Sequence, residues 1–149
     1  MLKPILLVED NPRDLELTLL ALERSQLANE VIVLRDGADA LDYLLRRNTY
    51  AGRAEGNPAA MLLDLKLPKV DGLQVLAQVR AHPLLRSIAI VMLTSSQEQP
   101  DLQRAHELGV SAYLVKPVEF KDFVSAIAGL EVFRALLDEP APGAKHLDH

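Results

Sequence analysis

A carboxylate inside an apolar run is the first feature of this sequence that could carry chemistry. Asp64 lies near the end of the run Met61–Leu65, which predicts a buried strand. An isolated Asp in hydrocarbon is costly, so its presence there needs a reason. At the carboxyl end of a parallel strand that reason is usually a ligand site, although an Asp at a strand end can also simply cap the following turn.

An acid pair elsewhere in the chain points to a cation site. Glu9 and Asp10 follow the apolar run Ile5–Val8, which predicts the first strand. If they meet Asp64, the three carboxylates repel one another, and protonation or a bound cation must relieve the repulsion. Oxygen ligands with no nearby His or Cys favour a hard ion such as Mg²⁺, or Mn²⁺. Alternatively, the acid pair serves only the dipole of the following helix.

Two further strand ends offer groups that suit a phosphate. Thr94 presents a hydroxyl after the predicted fourth strand, and Lys116 presents an ammonium after the fifth. A cation, a nucleophilic carboxylate, a hydroxyl and an ammonium can together stabilise in-line transfer of a phosphoryl group to Asp64. Taken singly, Thr94 is also compatible with an ordinary strand end, and Lys116-Pro117 with a simple turn. The combination of these residues therefore carries the prediction.

The elements that must position these residues alternate along the chain. Apolar runs predict five strands, each followed by a segment with helical spacing. The predicted strands are Ile5–Val8, Val31–Leu34, Met61–Leu65, Ile88–Leu93 and Ala112–Val115. Such runs suit a doubly wound α/β fold, in which helices cover both faces of a parallel sheet. In the flavodoxin-like strand order 2-1-3-4-5, the switch point between strands 1 and 3 brings the acid pair to Asp64.

Composition narrows the class of protein. The 149 residues suit one domain with a well-buried core. A net charge of −5 without a Lys/Arg block argues against nucleic-acid binding. The absence of cysteine excludes disulfides and Cys-ligated zinc, and no apolar run approaches the length of a membrane span. We therefore expect a soluble cytoplasmic protein that binds neither nucleic acid nor membrane.

These residues resemble those of a response-regulator receiver domain of two-component signalling. The resemblance covers about residues 3–137 and rests on several motifs in order. The motifs are Glu9-Asp10, Asp64 with Pro68 and Gly72, Thr94-Ser95, and Tyr113 three residues before Lys116-Pro117. Each motif alone is weak, but together, at the right strand ends, they are specific. The resemblance implies a receiver domain over residues 1–138, with five flanking helices, and the proline-containing segment 139–149 reads as a flexible tail.

The resemblance implies a metal site and a phosphoacceptor. Asp10 would bind the metal directly, Glu9 would act mainly through water, and Lys66 would contribute its backbone carbonyl. Asp64 would also bind the metal and would accept a phosphoryl group from the histidine of a sensor kinase. Such a protein is a phosphoacceptor rather than an ordinary enzyme, although it promotes its own phosphorylation and slow self-dephosphorylation.

The resemblance also assigns the remaining residues. Thr94 and Lys116 would contact the phosphoryl oxygens, and Tyr113 would be an aromatic rotamer switch. The peptide bond between Lys116 and Pro117 would be cis. Tyr113 could equally be a core residue whose hydroxyl reaches the surface.

A finer resemblance is to the small stand-alone receivers that serve bacterial phytochromes and related kinases. It rests on the segment LLDLKLPKVDG, on the long loop Arg46–Ala60 before it, and on the final helix FKDFVSAIAGLEVF. Lys66 departs from that subgroup, in which Asn is more common at this position. The sequence shows no output domain, so the expected signal passes by protein–protein contact or phosphorelay, with a bacterial phytochrome as the finer expectation for the kinase.

The apolar residues of the last predicted helix indicate a homodimer. One apolar stripe, sufficient to cover the sheet, is formed by Phe120, Phe123, Val124 and Ile127. Further apolar residues extend the helix beyond the strand beneath it, and among them are Leu130, Phe133, Leu136 and Leu137. We expect a two-fold dimer through the helix 4–strand 5–helix 5 face, unless the excess folds back on the domain's own loops.

Three other functions remain to be distinguished. A haloacid-dehalogenase-type phosphatase would need a second Asp two residues after the nucleophile, where this chain has Lys66. A flavodoxin-like FMN carrier would need a phosphate loop rich in Ser, Thr and Gly after the first strand, where this chain has EDNPRD. A phosphate-independent adaptor of the receiver fold would be expected to lose acidic residues of the site, and none is lost here.

Overall fold

The computed structural model describes residues 3–25, 29–95 and 99–128, in which five strands alternate with five α-helices. The strands are β1 (Ile5–Val8), β2 (Val31–Leu34), β3 (Ala60–Asp64), β4 (Ala89–Thr94) and β5 (Ala112–Val115). The helices are α1 (Pro12–Arg24), α2 (Gly37–Leu45), α3 (Gly72–Ala81), α4 (Gln99–Glu107) and α5 (Phe120–Ala128). In the part of the chain so described, no helix is long and apolar enough to cross a membrane.

The sheet has the order β2-β1-β3-β4-β5, and every neighbouring pair is parallel. The predicted doubly wound fold is therefore confirmed. Val8 pairs with Leu63 between β1 and β3, so the residue after β1 lies level with Asp64 at the end of β3. The carboxyl ends of the central strands thus meet at the switch point, where doubly wound sheets bind ligands.

The third and fourth strands were each misplaced by one residue in the sequence-based prediction. The structure starts β3 at Ala60 rather than Met61 and ends it at Asp64, and it shifts β4 from Ile88–Leu93 to Ala89–Thr94. Leu65 was assigned to β3 because it is apolar, and it is indeed only 3% exposed, but it lies in the turn after the strand. Its N–H donates to the Leu93 carbonyl at 2.8 Å. The shift makes Asp64 and Thr94 the last residues of their strands.

Two apolar layers hold the sheet between helices. One face packs on α1 and α5 and includes Ile5, Leu7, Ala21, Leu22 and Phe123. The other face packs mainly on α2 and α3 and includes Leu6, Leu63, Leu41, Val75 and Val79. Both faces of the central strands are buried, which explains why their sequences are continuous apolar runs.

The helices that follow the functional strands begin at polar caps. Asn11 accepts hydrogen bonds from the Arg13 and Asp14 backbone N–H groups at 2.9 and 3.0 Å, and Pro12 occupies the first helical position. Asp71 begins α3 through a capping box with Gln74. These caps define where each helix starts relative to the strand end before it.

Two further sequence-based expectations concern the long loop before β3 and the end of the chain. The loop Arg46–Ala60 contains a short 3₁₀ turn, Asn48–Tyr50, and is tied down by Arg53, whose Nε donates to the Tyr43 carbonyl at 2.6 Å. This contact holds the predicted loop against α2. The predicted dimer residues, which are Leu130, Phe133, Leu136 and Leu137, and the tail 139–149 lie outside the described residues.

Candidate functional site

The predicted site residues lie at four adjacent strand ends. Glu9 follows β1, Asp64 ends β3, Thr94 ends β4, and Lys116 follows β5. Glu9, Asp64 and Thr94 are 0%, 3% and 1% exposed. Burial of two acids side by side is costly unless they are paired, so the site must contain positive charge or a proton.

Lys116 supplies that positive charge. Its Nζ lies 2.8 Å from Glu9 Oε1 and 3.1 Å from Asp64 Oδ2, and its side chain is only 8% exposed. The Lys116 backbone N–H donates to the Thr94 carbonyl at 2.8 Å, which fixes the start of the side chain beside β4. The peptide bond from Lys116 to Pro117 is cis, as the resemblance implied.

Lys116 has a third acidic partner that sequence analysis did not identify. Asp14, in the first turn of α1, places Oδ2 3.1 Å from Lys116 Nζ. The contact joins residues 102 positions apart, so it depends on tertiary packing, in which α1 contacts α5. The one available signal was its spacing, four residues after Asp10 in the same loop-to-helix segment.

Three carboxylates form a candidate metal centre beside Lys116. Glu9, Asp10 and Asp64 each offer an oxygen, and these oxygens lie within 4.8 Å of one another, with Asp10 the most exposed of the three. Asp64 Oδ1 accepts a long hydrogen bond from the Lys66 N–H at 3.4 Å, and Glu9 Oε2 accepts one from the Asn11 N–H at 3.2 Å. An all-oxygen set at this spacing fits a hard divalent cation.

The cluster holds more carboxylates than the one ammonium of Lys116 can balance, and the pKa of Asp64 reflects this excess of negative charge. Burial, together with hydrogen bonding to Glu9 and the charge of Glu9, raises the pKa of Asp64 to about 7, although Lys116 opposes the shift. Burial alone would lower the pKa of Lys116, but hydrogen bonds and charges from Glu9, Asp64 and Asp14 hold it above its ordinary value. Near neutral pH and without a metal, Asp64 is therefore divided between its protonated and charged forms, and a bound divalent cation would favour the charged form.

The loop after Asp64 is shaped by two close backbone approaches. A Cβ on Gly72 would lie 2.2 Å from the Asp64 carbonyl oxygen, and a Cβ on Gly37 would lie 1.7 Å from the Val70 carbonyl oxygen. Only glycine fits at these positions. Pro68 lies in the same loop, and its carbonyl accepts from the Gly37 N–H at 3.4 Å. Pro68 thus lies in the turn to which the sequence assigned it, and Gly72 is the first residue of α3 after that turn.

Lys66 extends away from this cluster towards α4. Its Nζ lies 3.5 Å from Oδ2 of Asp101, in the first turn of α4, and the Lys66 side chain is 68% exposed. The ion pair links the loop after Asp64 to the helix that follows β4. Exposed ion pairs of this kind are weak, so Lys66 can change partners at little cost.

Tyr113 lies on the outer strand of the sheet rather than in the core. It is 50% exposed, and Val115, two residues on along the same face of β5, is 39% exposed. The core alternative for Tyr113 is therefore wrong.

The chain was compared with known proteins. The family described as response regulator receiver domain matches residues 5–128. Response regulator Rcp1 from Synechocystis sp. is 40% identical over 131 residues, covering 88% of this chain and 88% of Rcp1.

Solved structures agree with these matches. Bacteriophytochrome response regulator RtBRR superposes with a TM-score of 0.86 at 69% identity, covering 96% of this chain and 86% of RtBRR. Bacteriophytochrome response regulator AtBRR superposes with a TM-score of 0.83 at 64% identity, covering 93% of this chain and 99% of AtBRR. The Mn²⁺-bound form of Rcp1 superposes with a TM-score of 0.76 at 38% identity, covering 94% of this chain and 99% of that structure.

Proposed function

This chain belongs to the response regulator receiver domain family, and we propose that Asp64 accepts a phosphoryl group from the phosphohistidine of a sensor kinase. The observation that carries the proposal is the setting of Asp64. This buried carboxylate ends β3, lies 3.1 Å from the Lys116 ammonium and shares a 4.8 Å cluster with Glu9 and Asp10. Family membership also separates the chain from the flavodoxin-like and phosphatase alternatives.

The proposed chemistry is one displacement at phosphorus. A carboxylate oxygen of Asp64 attacks the phosphorus as its bond to the kinase imidazole breaks, and the imidazole leaves with the electron pair. The Lys116 ammonium and the Thr94 hydroxyl contact the phosphoryl oxygens, where charge must be stabilised. Water later attacks the same phosphorus as its bond to the Asp64 oxygen breaks, which releases inorganic phosphate, restores the Asp64 carboxylate and gives slow self-dephosphorylation.

We assign the metal site to the acid cluster. Asp10 and Asp64 would bind Mg²⁺ or Mn²⁺ through their carboxylates, Lys66 through its backbone carbonyl, and Glu9 mainly through water. The all-oxygen donors within 4.8 Å support this assignment, as does the Mn²⁺-bound form of the relative Rcp1. A bound cation would offset the negative charge of the phosphoryl oxygens during transfer.

The test is direct phosphorylation with acetyl phosphate, monitored by intact mass. We expect the mass of one phosphoryl group to be added with Mg²⁺ and none with excess chelator. The protein should also lack the yellow colour of a flavin carrier. A chain that gains no mass under any condition would be a phosphate-independent adaptor, and labelling that survives the chelator would contradict the metal assignment.

Similarity also suggests the kinase. RtBRR and AtBRR are described as bacteriophytochrome response regulators and are 69% and 64% identical to this chain. We therefore propose a bacterial phytochrome as the phosphodonor. Phosphotransfer profiling against the purified histidine kinases of the source organism tests it. The phytochrome kinase should label the receiver fastest, and preference for another kinase contradicts it.

The proposal also covers the domain bounds, the cellular location and the way the signal is passed on. We propose a receiver domain at residues 1–138 and a flexible tail at 139–149. The protein would act in the cytoplasm, where kinases use ATP, and would signal by protein contact or phosphorelay rather than by binding nucleic acid or membrane. The net charge of −5 without a basic block supports the absence of a nucleic-acid partner.

Lys66 is expected to prolong the phosphorylated state. It lies two residues after Asp64, and its pair with Asp101 at 3.5 Å is weak enough to yield to a phosphoryl group. An ammonium near the phosphoryl oxygens would shield the phosphorus from water, so Lys66→Asn should shorten the half-life about tenfold, or roughly 1.4 kcal/mol of barrier. Phosphate-affinity gels after removal of acetyl phosphate measure the decay.

The matched control is Lys69→Asn in the same loop. Lys69 pairs with Asp36 rather than α4 and has a left-handed backbone, which Asn tolerates. Its half-life should equal that of the wild type. If Lys66→Asn also decays at the wild-type rate, the shielding role is wrong.

We further propose a two-fold homodimer through the α4–β5–α5 face. Exposed Tyr113 and Val115 on β5 supply apolar surface beside the predicted contacts of the last helix. Phe133→Asp with Leu137→Asp should convert the dimer to a monomer in sedimentation at tens of micromolar protein. Leu84→Asp, at a 75% exposed position after α3, is the control and should remain dimeric. A monomeric wild type, with and without a phosphate analogue, contradicts the dimer.

A further inference from the structure

The ammonium of Lys116 is shared among three carboxylates, and one of them lies outside the proposed metal and phosphoacceptor set. Nζ contacts Glu9 at 2.8 Å, Asp64 at 3.1 Å and Asp14 at 3.1 Å. The contact with Asp14 is a hydrogen bond, whereas Glu9 Oε1 has no hydrogen-bond partner in the described part of the chain and meets Nζ only as an ion pair. Within the described residues, Asp14 is the one acidic partner of Lys116 that comes from a helix rather than a strand end.

Building on the phosphoacceptor role proposed above, we propose that Asp14 is a positioning residue for phosphoryl transfer, which holds the Lys116 ammonium so that the Asp64 carboxylate stays free to attack phosphorus. Asp14 competes with Asp64 for the same cation. If Asp14 were absent, the ammonium would settle on Glu9 and Asp64 alone. A nucleophilic oxygen that is more fully neutralised attacks more slowly.

The position of Asp14 is fixed by the same turn that holds the acid pair. Glu9 Oε2 accepts from the Asn11 N–H at 3.2 Å, and Asn11 Oδ1 accepts from the Asp14 N–H at 3.0 Å. The backbone of Asp14 is therefore tied to the end of β1 through two consecutive hydrogen bonds. Such a connected network holds a side chain in place better than an isolated surface contact would.

The three carboxylates around Lys116 differ in how far they are buried. The side chains of Glu9 and Asp64 are 0% and 5% exposed, whereas that of Asp14 is 27% exposed. Asp14 therefore draws the ammonium towards the solvent side of the site, from which a phosphodonor must approach. After transfer, negative charge has moved from the Asp64 carboxylate to the phosphoryl oxygens, and the ammonium must follow it outward.

A competing explanation is that Asp14 serves only the dipole of α1, because it lies in the first turn of that helix. That role would change stability but leave the rate of phosphorylation unaffected. A second alternative is that Asp14 repels the anionic phosphodonor, in which case its removal would accelerate labelling and lower the donor concentration needed.

The experiment measures phosphorylation of the full chain by acetyl phosphate at saturating Mg²⁺ over a range of donor concentrations. We expect Asp14→Ala to lower the maximal rate about tenfold while leaving the half-saturating donor concentration unchanged. Asp14→Asn should recover part of the rate, because its amide oxygen still accepts one hydrogen bond from Nζ. Glu16→Ala, an exposed acid on the same helix, is the control and should match the wild type.

Each result either supports or overturns the positioning role of Asp14. An unchanged or higher maximal rate in Asp14→Ala, or a shift in half-saturation alone, overturns the positioning role. If Asp14→Ala does not fold by circular dichroism, Asp14→Asn decides the question, and a wild-type rate in it overturns a role for the carboxylate charge. Failure of the wild type to label at all would count against the phosphoacceptor function rather than against Asp14.

Discussion

Asp64→Asn is expected to abolish phosphorylation by acetyl phosphate or by a kinase. An amide lacks the free carboxylate oxygen that must attack phosphorus, and Asp64, which ends β3 with Oδ2 3.1 Å from the Lys116 ammonium, is the proposed nucleophile. Intact-mass spectrometry with Mg²⁺ should show no added phosphoryl group. Asp122→Asn, which removes an exposed acid from α5, is the matched control and should label like the wild type.

The same variant reports on the electrostatics of the site. The pKa of Asp64 is raised to about 7 from a model-compound value of 3.8, so the folded protein favours its neutral form. In the wild type, stability is lost as the pH rises from about 4 through 7 and Asp64 becomes charged. Asn carries no charge, so without metal Asp64→Asn should gain stability over the wild type across that interval and level off above it.

Two outcomes would contradict this argument. Undiminished labelling of Asp64→Asn would move the phosphoacceptor to another residue. Melting curves without metal that differ from the wild type by the same amount at pH 5 and pH 8 would show that the charge of Asp64 does not limit stability there.

Sequence patterns predicted this site well where it follows from sheet topology. The strand order 2-1-3-4-5 makes strands 1 and 3 neighbours, so the apolar runs together with that order indicated that Glu9, Asp10 and Asp64 would come together. Exact strand ends were less predictable, because burial continues past the last residue of the strand. Leu65 is buried in a turn and was therefore assigned to β3.

The contacts made by long side chains could not be predicted in the same way. The reach of Lys116 to Asp14 joins residues 102 positions apart through tertiary packing, which no local pattern encodes. Lys66 was expected near the phosphoryl group, but the structure pairs its Nζ with Asp101 of α4. Flexible charged side chains choose partners by small energy differences, so their targets depend on the folded surroundings.

Lys116→Met is expected to produce the largest loss of stability in the site. Met fills a similar volume but leaves Glu9 and Asp64 buried without their common cation. Removal of one partner from a buried ion pair costs about 3–5 kcal/mol. For a chain of 149 residues this corresponds to a fall in melting temperature of about 10 °C. Thermal unfolding in chelator measures it, and Lys121→Met, at an exposed position in α5, is the control.

The pH and metal dependence of that loss identify its cause. Below pH 7, Asp64 takes up a proton because its pKa is about 7, so the loss should shrink from pH 8 to pH 6. A divalent cation supplies the missing charge and binds only the folded state, so Mg²⁺ should raise the melting temperature of Lys116→Met more than that of the wild type. A loss that is the same at both pH values and unaffected by Mg²⁺ would mean that Lys116 acts through packing. In that case the ammonium would not be the group that balances the charge of the three carboxylates.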